Sequence, residues 1–131
     1  MTFVVREGDS TSTGGFVLKA SGRQLCDERR LARMGDPVWC AACERVGFIA
    51  QGNPTYIDEF VAVATHGQIV QCNCAGEDHR LIASQDQMAA DMDATIGIPA
   101  DLAKVAQKQA KRMTALIAEG SLLLDRVEPL P

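Results

Sequence analysis

The sequence predicts an α+β protein in which a β-domain of short strands is followed by a helical extension. Two observations support this prediction. Residues 1–84 hold nine of the eleven glycines, all five cysteines and both histidines, and short apolar runs alternate there with turn residues. Residues 85–131 are rich in Ala, Met, Gln and Asp, and their apolar residues recur at helical spacing. The predicted boundary therefore lies near Ser84.

Six short strands are expected in residues 1–84, each bounded by glycine-rich or polar turns. Their predicted ranges are Phe16–Lys19, Val38–Cys40, Phe48–Ala50, Tyr56–Ala64, Ile69–Cys72 and Arg80–Ile82. Only 5% of the chain is aromatic, so the core between these strands must be built from small aliphatic side chains.

A sequence repeat relates these strands to one another. With a shift of 32 residues, Gly-Phe-Val at 15–17 falls on Gly-Phe-Ile at 47–49, and Cys40 falls on Cys72. A fainter copy opens the chain, and its register places Thr13 where the two cysteines stand. Repeats of this length are typical of stacked or radially arranged units. We therefore expect three strand-turn elements about a pseudo-threefold axis.

Two helices are predicted in the extension. Ser84 and Gln87 form a capping-box pattern that predicts a helix over about 85–94. A longer helix is predicted over about 100–119, with Gly120 as its C-terminal signal. We expect both helices to pack on each other or on the side of the β-domain, or else to present an Ala- and Met-rich face to a partner.

The cysteines and histidines of residues 1–84 indicate a metal site. The threefold arrangement would bring Thr13, Cys40 and Cys72 to one place, and zinc prefers four nitrogen or sulfur donors in a tetrahedron. The preferred ligands are Cys40, Cys43, His66 and Cys72, with Cys74 as a substitute. Four protein donors leave no open coordination position, so the predicted zinc is structural. His79 is interpreted as a solvated loop residue, and Cys26 as a thiol outside the site.

Other interpretations of the cysteines remain open at this point. Cys40 and Cys43 could form a thiol-disulfide pair, although the following residues lead into a strand rather than the helix expected of such a motif. A small intracellular zinc-stabilised module that binds protein or nucleic acid is the second alternative. The net charge of −4 counts against nucleic acid, because phosphate-binding surfaces are basic. We find no catalytic motif, membrane-length apolar run or secretory leader, and expect synthesis in a reducing cytosol.

Four ordered motifs resemble one known family. They are GDSTSTGG (Gly8–Gly15), MGDPVWCAAC (Met34–Cys43), VAVATHGQIVQCNC (Val61–Cys74) and LIAS (Leu81–Ser84). Together they resemble the proline-alanine-alanine-arginine repeat family, PAAR, over about residues 4–84. The resemblance implies a short cone of β-strands with zinc near its apex. It also implies a non-enzymatic tip on the trimeric valine-glycine repeat spike of the bacterial type VI secretion system.

The resemblance carries further expectations about partners and location. PAAR proteins sharpen the spike for membrane puncture, and many carry or recruit effectors. Residues 85–131 lie outside the resemblance, and contact with an effector or chaperone is the alternative to packing on the β-domain. Only transient contact is expected between the tip and a target membrane. The chain is expected to be monomeric alone, to reside in the bacterial cytoplasm before firing, and then to be delivered outside or into a target cell.

This sequence departs from the family pattern at the expected ligands. Relatives often have histidine where Thr13 stands, and many have histidine at the position of Cys43. His66 matches the histidine of the third motif, and Cys72 matches its cysteine. The resemblance thus implies a site formed by Cys43, His66 and Cys72 with either Cys40 or Thr13, of which Cys40 is the better zinc ligand.

Overall fold

The computed structural model describes residues 2–72 and 79–121, which form short strands followed by one long helix. The strands are β1 (Thr2–Phe3), β2 (Phe16–Val17), β3 (Leu25–Cys26), β4 (Arg29–Arg30), β5 (Pro37–Cys40), β6 (Arg45–Ile49), β7 (Gln51–Asp58), β8 (Val61–Val63), β9 (Val70–Gln71), β10 (Ala89–Ala90) and β11 (Ile96–Gly97). The helix α1 is Ala100–Ala118. All strand pairs are antiparallel, in the sheet orders β2-β5-β6-β9, β11-β7-β8, β3-β4 and β1-β10. This architecture confirms the predicted α+β class.

Three identical turns show the pseudo-threefold symmetry. They span residues 6–9, 33–36 and 65–68, and in each the fourth residue's side chain accepts the first residue's backbone N–H, at 2.9, 2.8 and 2.7 Å. The acceptors are Asp9, Asp36 and Gln68. The third residue of each turn is a glycine with φ of 87°, 93° and 87°, a left-handed conformation that disfavours other residues. The glycine spacing in the sequence therefore marks three turns that have the same backbone geometry.

A closed ring of backbone hydrogen bonds lies beside these turns. Val5 N–H donates to Ala64 C=O, Ala64 N–H to Ala32 C=O, and Ala32 N–H to Val5 C=O, at 2.8–2.9 Å. All three residues are fully buried. They belong to a core of aliphatic side chains that includes Val17, Ile49 and Leu81, which occupy corresponding repeat positions. Small residues are needed here because three chain segments meet around one axis.

The end of the β-domain that we call the base consists of three antiparallel strand pairs. β3–β4 and β7–β8 are hairpins whose two-residue tips, 27–28 and 59–60, both have positive φ. β1 and β10 form the third pair at the corresponding register, with Thr2 opposite Ala90. The β-structure thus continues past Ser84, because β10 pairs with the chain's N-terminal strand and β11 then pairs with β7.

Three predictions about local structure are wrong. The predicted strand Arg80–Ile82 is reduced to isolated bridges from Arg80 to Ile69 and from Leu81 to Thr11. Residues 85–94 do not form a helix; Ser84 instead donates its hydroxyl to the Asp9 carboxylate, and Gln85 donates to the carbonyls of Val4 and Met88. A helix of about ten residues is marginal alone, so pairing with β1 prevails. The predicted strand 56–64 is likewise two strands, because the chain reverses at Glu59–Phe60.

The helix α1 agrees with its predicted range of about 100–119. It packs against β6 and β5, burying Ala106 and Ala110. The Thr114 hydroxyl accepts the backbone N–H of Val46 at 2.9 Å, which anchors the helix to β6. Packing on the side of the β-domain is therefore confirmed for this helix. Among the residues that the structure describes, no helix combines the length and hydrophobicity required to cross a membrane.

Candidate metal centre

The corresponding ends of the three repeats meet at a place that we call the apex. Cys40 ends β5, and Cys72 directly follows β9. β2 pairs with β5 and β6 pairs with β9 in the same register, with Phe16 opposite Trp39 and Phe48 opposite Gln71. Because the register is the same, the next residues along the two strands reach the same end of the domain. The sulfur atoms of Cys40 and Cys72 lie 3.4 Å apart.

His79 completes the cluster at the apex. Its Nδ1 and Nε2 lie 3.6 and 4.0 Å from the Cys40 sulfur, and the ligand atoms of Cys40, Cys72 and His79 all lie within 4.8 Å of one another. Zinc bonds of ~2.3 Å to sulfur and ~2.0 Å to nitrogen place tetrahedral donors ~3.8 Å (S to S) and ~3.6 Å (S to N) apart. The observed separations match these values within about half an ångström, so the three side chains could hold a metal ion.

Burial favours metal binding over solvation at this site. Cys40 and His79 are only 2% and 3% exposed. Two thiols and an imidazole are donors that suit zinc and other borderline or soft ions. The interpretation of His79 as a solvated loop residue is therefore wrong.

The Thr13 hydroxyl also reaches the apex, as the repeat predicts. Its Oγ1 lies 2.8 Å from Nδ1 of His79 and 3.3 Å from Oγ1 of Thr11. The Thr11 hydroxyl accepts the backbone N–H of Gly15 at 3.0 Å. Thus Thr13, Cys40 and Cys72 approach a common point from three directions.

The first two repeats have glycine where the third has His79. A Cβ atom at Gly15 would lie 1.8 Å from the Trp39 carbonyl oxygen, and one at Gly47 would lie 2.3 Å from the Gln71 oxygen. These contacts exclude any side chain at the two positions. In the third repeat the same register position supplies the imidazole. A signal for His79 was therefore present in the sequence, since it lies 32 residues after Gly47.

A model of a known protein family matches this chain. The model described as PAAR motif matches residues 7–75, which is more than half of the sequence. The chain belongs to the PAAR motif family. The matched segment contains Cys40 and Cys72 and ends before His79. Comparisons with curated proteins and with solved structures found no match.

The PAAR domain brings together only some of the predicted ligands. Cys40 and Cys72 are adjacent at the apex, whereas Cys43 lies half-buried in the turn before β6 and outside the described cluster. His66 is exposed; its Nδ1 accepts the backbone N–H of Ala83 at 3.0 Å, and it lines a surface groove of about 850 Å³. Cys74 lies outside the described residues. The four-ligand set Cys40, Cys43, His66 and Cys72 stays a prediction.

Cys26 lies away from the apex of the PAAR domain. It is buried beside Val4, Leu31 and Val63, and burial raises the pKa of its thiol. A buried thiol with a raised pKa is a poor nucleophile and a poor metal ligand at neutral pH. Its surroundings therefore agree with its interpretation as a thiol outside the site.

Proposed function

We propose that this PAAR protein is the non-enzymatic tip of a type VI secretion spike and caps the trimeric valine-glycine repeat spike protein. The observation that carries the proposal is the pseudo-threefold repeat of the β-domain within a member of this family. A single chain with three corresponding strand elements can make similar contacts with all three chains of a trimer.

The base supplies the surface for this contact. Its strand pairs carry exposed apolar side chains at corresponding places, including Leu25 on β3 and Ile57 on β7. Phe60 is 96% exposed at a hairpin tip and has φ of 70°, which is unusual for a bulky residue. An exposed aromatic side chain held in an unfavourable conformation is a suitable anchor for a protein partner.

The apex supplies mechanical rigidity in this proposal. Cys40, Cys72 and His79 would hold a structural zinc ion, which would cross-link the end of β5, the residue that follows β9, and His79. The buried core near the axis contains only Ala, Val, Ile and Leu side chains, with no aromatic residue among them. Structural zinc contributes roughly 10–16 kcal/mol of apparent binding free energy in zinc-finger peptides. Such a cross-link resists deformation when the tip is loaded along its axis.

The helical extension would serve the delivery of cargo. α1 is fixed to the side of the β-domain, and its outward residues include the cations Lys104, Lys108, Lys111 and Arg112. We propose that this face contacts an effector or chaperone. The protein would reside in the bacterial cytoplasm before firing and leave with the spike, making transient contact with the target membrane.

Native mass spectrometry with elemental analysis tests this function. The purified protein is measured alone and with the spike trimer encoded in the same genome. The proposal expects one zinc per chain and a complex of three spike chains with one tip. Phe60→Ala should weaken this complex at least about 10-fold, whereas exposed Val105→Ala on α1 serves as the matched control and should not. Zinc without a complex would support the alternative, a zinc-stabilised module with another partner. A protein that binds neither zinc nor the spike trimer would contradict both the spike-tip function and the zinc-stabilised module.

A further inference from the structure

The contact between Thr13 and His79 is a hydrogen bond rather than a pair of neighbouring metal ligands. Their atoms are 2.8 Å apart, a usual hydrogen-bond length. Zinc in proteins is bound by Cys, His, Asp and Glu rather than by a neutral hydroxyl group. The Thr13 hydroxyl therefore supports the imidazole, even though it lies where the other two repeats supply a sulfur ligand.

The position of the Thr13 hydroxyl is itself fixed by the turn. The backbone N–H of Gly15 donates to Thr11 Oγ1, so the Thr11 hydroxyl hydrogen is free to donate to Thr13 Oγ1 at 3.3 Å. Thr11 is buried, and β-branched side chains have few accessible rotamers. The three groups thus form a chain of hydrogen bonds that runs from the backbone to Nδ1 of His79.

We propose that Thr13 is a positioning residue that holds His79 with its proton on Nδ1, so that Nε2 is the metal-binding atom. This inference rests on the proposed zinc site. A neutral imidazole has one N–H and one lone pair. If Nδ1–H donates to the Thr13 oxygen, Nε2 presents its lone pair. Nδ1 and Nε2 lie 3.6 and 4.0 Å from the Cys40 sulfur, so both distances suit zinc and the contact with Thr13 is what distinguishes the two nitrogens. The opposite arrangement, with Thr13 donating, leaves a proton on Nε2 and no lone pair there.

Two measurements test the proposal. Long-range ¹H–¹⁵N NMR of the zinc-loaded wild-type protein should show a proton on Nδ1 of His79 and the metal shift on Nε2. Competition with a chromophoric chelator should show that Thr13→Val lowers zinc affinity about 10- to 100-fold, as loss of a hydrogen bond to a ligand usually does. Thr13→Ser keeps the hydroxyl and should bind zinc within about 3-fold of wild type.

Thr65→Val is the matched control. Thr65 is fully buried, and its hydroxyl has no hydrogen-bond partner among the described residues, so its loss should leave zinc affinity unchanged. Unchanged affinity in Thr13→Val, equal losses in Thr13→Val and Thr13→Ser, or metal bound at Nδ1 would each overturn the role of Thr13 while leaving the zinc site intact. A wild-type protein that binds no zinc would overturn both. The NMR measurement needs no variant, so a Thr13→Val protein that failed to fold would not prevent a decision.

Discussion

The turns near the axis and the residues at the apex of the β-domain follow the same threefold register. The turns make the same contacts in all three repeats, whereas the apex has different side chains at corresponding positions. Near the axis, three turns make identical backbone hydrogen bonds, and the closed ring joins Val5, Ala32 and Ala64. At the apex, corresponding positions carry unlike groups, namely Thr13, Cys40 and Cys72, and His79 stands where the other repeats have glycine. Backbone symmetry therefore brings corresponding segments of the three repeats together, and their unlike side chains form one asymmetric cluster that could hold a metal ion.

The largest expected effect comes from breaking the apex. His79→Ala should abolish retention of one zinc per chain and lower the melting temperature by about 10 °C or more, because the metal is coupled to folding. His66→Ala is the matched control, since that histidine lies outside the cluster and is exposed. Elemental analysis and calorimetry would decide between them. Zinc loss in His66→Ala with retention in His79→Ala would instead favour the ligand set predicted from sequence.

A smaller but still large loss of stability should follow from adding a side chain at a glycine where two strands of the repeat approach closely. Gly15→Ala places a Cβ atom 1.8 Å from the Trp39 carbonyl oxygen, so β2 and β5 must separate. We expect a loss of about 3 kcal/mol or more in the free energy of unfolding, measured by urea denaturation. Gly97→Ala, where a Cβ would meet no atom within 4 Å, should change stability by less than about 1 kcal/mol. Equal effects of the two substitutions would contradict the close approach at Gly15.

The side chains that accept the turn hydrogen bonds near the axis differ in charge, and the third prediction concerns the pH dependence that results. Gln68 makes its turn bond with a neutral amide, whereas Asp36 uses a carboxylate. Burial raises the pKa of Asp36 to about 6, although hydrogen bonds from Ser21 and from the Arg33 N–H oppose the increase. Between pH 3.8 and about 6, the folded state therefore binds more protons at Asp36 than the unfolded state does. Stability should fall as the pH rises through this window, by about 3 kcal/mol from this group.

Asp36→Asn tests this sign directly. An asparagine can still accept the Arg33 N–H, as Gln68 accepts the N–H of Thr65 in the third repeat. Urea denaturation at pH 4 and pH 6.5, with zinc saturating at both, should show a smaller loss of stability on raising the pH in the variant than in wild type. Burial also raises the pKa of Asp9, so some slope should remain. A steeper decline in the variant would show that Asp36 stabilises the fold mainly as an anion.

Several features of the fold were predictable because they depend on short-range patterns. The 32-residue repeat, with the fainter copy that opens the chain, predicted that Thr13, Cys40 and Cys72 converge, and cap signals predicted α1 almost to the residue. The failures involve contacts between distant segments. Ser84 and Gln87 resemble a helix start, but β10 pairs with β1 from the other end of the chain. His79 lies in a polar stretch of the sequence, yet its side chain is buried. A β-bridge between Arg80 and Ile69 holds the neighbouring backbone in place, so that the imidazole lies at the apex.

The sequence by itself determined the α+β class, the threefold repeat, the family and two of the three clustered residues that could hold a metal ion. These features follow from glycine spacing and residue periodicity, which act through local backbone geometry. Only the tertiary structure decided that His79, and not His66, lies beside Cys40 and Cys72 in the cluster at the apex, and that the chain's first strand closes the third element of the base. Both outcomes depend on which distant segments pair, because the pairing register determines which side chains reach the apex.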